Sequence, residues 1–187
     1  FFDMQDRFVE VSEWYSLYAD LWRRLSGRPP TSYHPFAAAG ADAAGVQRMR
    51  GVPHGGDVEA QPHWVLRFGA ETFQVTDASV LGDLMARIRA VDPVVVMASP
   101  PCKRYSTADM HGLSQAPDLI ALTRDHLTRS GRLFVIENVK GASSELRDPT
   151  AFYGAFFGLR EDRPRLCEAN FPLVIDEYLR LPGLELR

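Results

Sequence analysis

"PVVVMASPPC", residues 93–102, decides how this chain is read. Val94, Val95, Val96 and Met97 form a continuous, largely β-branched run, as in a strand buried on both faces of a parallel sheet. Ser99-Pro100-Pro101-Cys102 stops the run, because proline cannot continue a sheet ladder. A second such run, "RLFVIENV" at 132–139, ends on Glu137 and Asn138. Between them "PDLIALTRDHLTRSG" (117–131) reads as a helix, with Pro at its start and Gly just past its end. Strand, helix, strand in that order makes a βαβ unit and an α/β protein with a mostly parallel sheet.

The pattern extends upstream. "LGDLMARIRAV" (81–91) has the apolar face of a helix, and "TFQVTDAS" (72–79) alternates like a short strand. "GVPHGGDVEAQP" (51–62) reads as turn-rich around a short apolar stretch, and "FAAAGADAAGVQRM" (36–49) as a small-residue turn running into a helix. Residues 7–25 carry Val11, Trp14, Tyr15, Tyr18, Leu21, Trp22 and Leu25 at amphipathic-helix spacing, and "SGRPPTSYHP" (26–35) ends that helix with Gly and three prolines. "AFYGAFFGL" (151–159) is apolar and fits helix or strand. The expected organisation is an N-terminal helix with a proline-rich linker over 1–33 and a single α/β domain over 34–187.

The whole chain has 187 residues, enough for one domain with its own core. No apolar run approaches the roughly 18–20 residues of a membrane helix, and the N-terminus shows no basic-then-apolar leader, so no membrane partner is expected. Two cysteines, Cys102 and Cys167, make no disulfide framework, which fits a reducing, intracellular compartment. The formal net charge of −3 excludes a global electrostatic footprint for nucleic acid, so any such contact uses a local basic patch.

Ligands of open parallel sheets bind at the carboxyl ends of the strands, where both polar surprises fall. Cys102 sits there beside Lys103 and Arg104, cations that favour a reactive thiolate, although a single cysteine also suits a small buried packing role. Glu137 at the end of a buried strand must be paired, exposed in a cleft or protonated, and with Asn138 it also suits a loop hydrogen-bonding pair. In "RPRL" (163–166), Arg163 and Arg165 share one side if the segment is extended. Two arginines so placed suit phosphate or base contacts, or a solvated edge strand.

"SPPCKRYS", "VIENVKG" and "RPRL", in that order, resemble the DNA cytosine-5 methyltransferase family, and the resemblance covers about residues 36 to 171. It implies the Rossmann-like class I S-adenosylmethionine-dependent methyltransferase fold. Phe36 and Gly40 match the family's cofactor turn, Asp57 the acid on the ribose with Val58 beside it, Asp77 the acid near the adenine amino group, and Pro100 the loop edge. The implied cofactor is S-adenosylmethionine, released as S-adenosylhomocysteine, with no metal. The resemblance makes Cys102 the nucleophile on C6 of cytosine, which activates C5 for methylation. Glu137 holds N3 and the exocyclic amine, Asn138 fixes the Pro-Cys loop, and Arg165 contacts the base or its phosphate with Arg163 in support. Lys103, Arg104 and Ser106 line the loop that closes over the base, which must be flipped out or single-stranded.

The cofactor turn reads Phe36-Ala37-Ala38-Ala39-Gly40-Ala41 where the family has Phe-x-Gly-x-Gly-Gly, and His34-Pro35 replaces the preceding acid. Lys103 stands for the usual Gln. The family's target-recognition region has no counterpart after Arg165, so a second protein or a missing segment is expected to supply it. Three readings stay open: a compact DNA methyltransferase, an RNA cytosine-5 methyltransferase sharing the same motifs, and an inactive methyltransferase-like binding subunit.

Overall fold

The computed structural model describes residues 26–38, 41–48, 50–105, 117–153 and 164–173. Its strands are β1 (Thr31–Pro35), β2 (Val52–Asp57), β3 (Phe73–Val75), β4 (Val95–Ala98), β5 (Leu133–Val139), β6 (Thr150–Phe152) and β7 (Arg165–Ala169). The helices are α1 (Ala41–Arg48), α2 (Pro62–Phe68), α3 (Leu81–Val91) and α4 (Ile120–Ser130). The strands form one sheet in the order β3-β2-β1-β4-β5-β7-β6. Every pairing from β3 to β5 is parallel, and only β7 runs antiparallel, between β5 and β6. The helix expected over 7–25 lies outside the described residues, and no described helix is long and apolar enough to cross a membrane.

Apolar periodicity sets the two layers. Leu84, Ile88 and Val91 of α3 and Ile120 and Leu127 of α4 cover Tyr33, Val96, Ala98, Phe134 and Ile136 on one face of the sheet. Ala43 and Ala44 of α1 pack with Trp64 and Phe68 of α2 in a second cluster. Each large side chain so buried contributes about 1.5–3 kcal/mol. Gly131 ends α4 at φ 66°, the left-handed backbone that glycine takes without a Cβ penalty.

Two stretches differ from the sequence expectation. Thr31, Ser32 and Tyr33, expected in the linker, belong to β1, a central strand paired to both β2 and β4. Its prolines lie where a missing donor does little harm, with Pro29 and Pro30 before the ladder and Pro35 at its end. The turn-rich stretch 51–62 contains β2 and the first residue of α2, Pro62. The glycines of β2 serve packing, because a Cβ on Gly55 would lie 2.7 Å from the Trp64 ring and one on Gly56 would strike the Tyr33 hydroxyl.

The β7 end of the sheet is tied to α4 through a buried ion pair. Arg124 donates from Nε to Glu168 Oε1 at 2.5 Å and from Nη2 to Oε2 at 2.7 Å, and the Arg147 amide donates to Oε2 at 2.9 Å. The paired geometry with further donors is what lets two charges stay buried.

Candidate active site

The strand order reverses direction at β1 and β4, which opens a crevice at their carboxyl ends. Neighbouring strands lie about 4.8 Å apart, so the loops after β3, β2, β1, β4 and β5 form one continuous rim. The start of β7 joins it, because an antiparallel strand begins where its neighbours end. Asp77, Asp57, Phe36, Cys102, Glu137 and Arg165 follow one another along this rim in that order.

On the β1–β3 side, Phe36 and Ala38 take positive φ of 65° and 40°. The turn folds back on the end of β2: the Ala37 amide donates to the Gly56 carbonyl at 2.9 Å, and the Ala38 amide to Asp57 Oδ2 at 3.1 Å. Ala38 thus sits in a backbone region that favours the glycine expected of such a turn. Val58 is exposed beside Asp57. Asp77 Oδ1 accepts from the Ser79 hydroxyl at 2.6 Å and the Ser79 amide at 2.9 Å. These two bonds hold its carboxyl below the usual carboxylate range.

On the β4–β5 side, Cys102 is a partly buried free thiol four residues past β4. The loop before it is pinned by Asn138, which is 1% exposed. Asn138 donates from Nδ2 to the Pro100 carbonyl at 3.0 Å, while its Oδ1 accepts from the Val139 amide at 2.9 Å. After Cys102 the chain closes a tight turn over Lys103–Tyr105, in which the Tyr105 amide donates to the Cys102 carbonyl at 3.0 Å. Lys103 and Arg104 are exposed on it.

Glu137 stands opposite Cys167 in the β5–β7 ladder, and Arg165 lies two residues along on the same face. Arg165 Nη1 pairs with Glu137 Oε1 at 3.3 Å. Burial pushes the Cys167 thiol up to about 12, with the Glu137 charge adding to that and Arg165 opposing it. A thiol so shifted is a poor nucleophile near neutrality.

Gly40, Ser106 and Arg163 lie outside the described residues. Ser79, Tyr105 and Gly141 escaped the sequence reading. Ser79 was legible in principle, since Asp-x-Ser is the spacing of a side-chain-to-backbone turn; for Gly141 the sequence holds no signal.

No protein-family model matches the chain, and no curated protein matches it in sequence. Solved structures do match in shape. The methyltransferase EhMeth of Entamoeba histolytica aligns over 86% of this chain and 56% of its own, with TM-score 0.56 and 16% identity. The S. pombe Dnmt2 methyltransferase aligns over 78% of this chain and 51% of its own, with TM-score 0.50 and 16% identity. The chain thus spans about half the length of these neighbours. Together with the strand order, the likeness gives it the class I S-adenosylmethionine-dependent methyltransferase fold.

Proposed function

We propose that this chain methylates C5 of cytosine in DNA through a covalent bond from Cys102 to C6. The observation that carries the proposal is the juxtaposition of Cys102 and Glu137 at the ends of adjacent parallel strands beside the crevice, with Asn138 tying their loops together. The rim residues fit S-adenosylmethionine. Asp57 keeps one carboxylate oxygen beyond the bond to Ala38 for a ribose hydroxyl, and Val58 offers an exposed apolar side chain at the adenine end. The bound cofactor supplies the methyl group that C5 accepts.

Cys102 attacks C6 as the thiolate, and the ring's electron pair moves to C5. Glu137, oriented by Arg165, delivers a proton to the ring edge at N3 and so neutralises the charge that attack develops there, taking the proton back when the adduct collapses. After methylation C5 loses its proton to water, the electron pair re-forms the C5–C6 double bond, the C6–sulfur bond breaks and the thiolate returns. The base must reach the crevice flipped out of the duplex, with Lys103 and Arg104 exposed to meet its phosphates. Target recognition by a second protein or a further segment belongs to this proposal. A cofactor-free binding role is favoured by one observation, the strained alanine turn at Phe36 and Ala38.

Methyl transfer from labelled S-adenosylmethionine is measured on duplex DNA, single-stranded DNA and tRNA in parallel. A 5-fluorocytosine substrate is expected to trap an adduct that Cys102→Ser abolishes and Cys167→Ser retains. Transfer to tRNA alone would make the substrate RNA. Absence of both transfer and S-adenosylhomocysteine binding would leave the binding role.

A further inference from the structure

Cys102 is held from both sides by the segment that follows Glu137. The first hold is the hydrogen bond from Asn138 to the carbonyl of Pro100, two residues before the thiol. The second lies three residues after it, where the Tyr105 carbonyl is packed against the α-carbon of Gly141. Gly141 follows β5 in a short helical turn, Lys140–Ala142, and has no left-handed backbone that would call for glycine. Its missing side chain therefore serves space. A Cβ there would run into the Tyr105 carbonyl oxygen, a backbone atom that cannot rotate away. The turn behind that carbonyl is closed onto Cys102 itself by the bond from the Tyr105 amide, and the Tyr105 ring packs on the main core.

We infer that Gly141 is a positioning residue, whose lack of a side chain lets the Cys102 turn seat at its working distance from Glu137. The inference rests on the nucleophile assignment above. A side chain at 141 lifts the turn outward, and misplacement on the order of 1 Å in such a site costs about 10²-fold in rate.

The test uses the Cys167→Ser protein, so that one thiol reports. Gly141→Ala is compared with Gly82→Ala, where a Cβ meets nothing within 4 Å. Three quantities are read: adduct formation with a 5-fluorocytosine oligonucleotide, the rate of Cys102 alkylation by iodoacetamide, and S-adenosylhomocysteine affinity by calorimetry. Gly141→Ala is expected to lose about 10²-fold in adduct rate, to alkylate several-fold faster and to keep its cofactor affinity, while Gly82→Ala matches the parent. Parental adduct and alkylation rates in Gly141→Ala would overturn the inference. If the parent forms no adduct, the methyltransferase assignment falls, and alkylation alone decides whether the seat exists. If Gly141→Ala fails to fold, Tyr105→Ala frees the same turn from its ring anchor; its alkylation is expected to rise as well, and an unchanged rate there overturns the inference.

Discussion

Ala38 carries a conformational cost that one substitution can reveal. An L-residue in the left-handed region is disfavoured by about 1–2 kcal/mol, and the bonds from Ala37 to Gly56 and from Ala38 to Asp57 hold it there. Ala38→Gly is expected to raise stability by up to about 1 kcal/mol, since glycine's freer unfolded chain offsets part of the relief. It is also expected to tighten S-adenosylhomocysteine binding; an unchanged urea midpoint would mean the turn is relaxed. Asp77 gives a test in acid. Its folded carboxyl titrates below the unfolded one, so its contribution is present above about pH 4 and is lost as pH falls through the folded value. Asp77→Asn is expected to flatten that part of the acid unfolding curve. At this scale the sequence points to candidate residues by their chemistry. Cys102, Glu137 and Asn138 stand out because a thiol, a carboxylate and an amide are unusual at the ends of apolar runs. Gly141 does not, because what a glycine faces is decided by a residue 36 positions away, Tyr105.

Among the elements, α3 matched its expected limits and β4, α4 and β5 fell within a few residues of theirs, because their apolar periodicity is also what buries them. β1 and β2 were hidden for a shared reason. Tyr33-His34-Pro35 and His54-Gly55-Gly56 look like punctuation until the pairing shows each strand fitted to the other and to Trp64. That fit can be tested. Gly56→Ala drives a methyl into the buried Tyr33 hydroxyl and is expected to cost about 1–3 kcal/mol, as overpacking does; adding Tyr33→Phe is expected to recover part of the loss in a double-mutant cycle. Tyr33 also predicts an alkaline limit. Burial pushes its phenol up to about 12, outweighing the lowering by Thr76 and Arg87. A folded value above the unfolded one means the contribution is complete below about pH 10 and is lost as pH rises toward the folded value. Tyr33→Phe is expected to remove that decline in a pH series of unfolding curves.

Over the whole molecule, the antiparallel end of the sheet depends on Arg124 and Glu168. Glu168→Ala leaves a buried guanidinium unpaired and is expected to cost about 3–5 kcal/mol, whereas a loss below about 1 kcal/mol would show that the pair is dispensable. On the proposed role, net charge −3 leaves nucleic-acid attraction to a few local cations. DNA affinity is therefore expected to fall with salt at a log–log slope of about −2 to −3, and Lys103→Ala with Arg104→Ala to make that slope shallower by about 2. A steeper slope in the double variant would place the contacts elsewhere. The rim described above has one more consequence. Apart from Pro100 at the boundary, every candidate residue for the donor comes from positions 36–77, and every candidate for the acceptor chemistry comes from 102–165, with the β1–β4 seam between them. On the proposed function, the two substrates would thus have separate addresses on the polypeptide. On the proposed function, someone re-engineering this protein would hold two dials: one for how tightly the methyl source is gripped, the other for which base is attacked, each lying in its own stretch of chain.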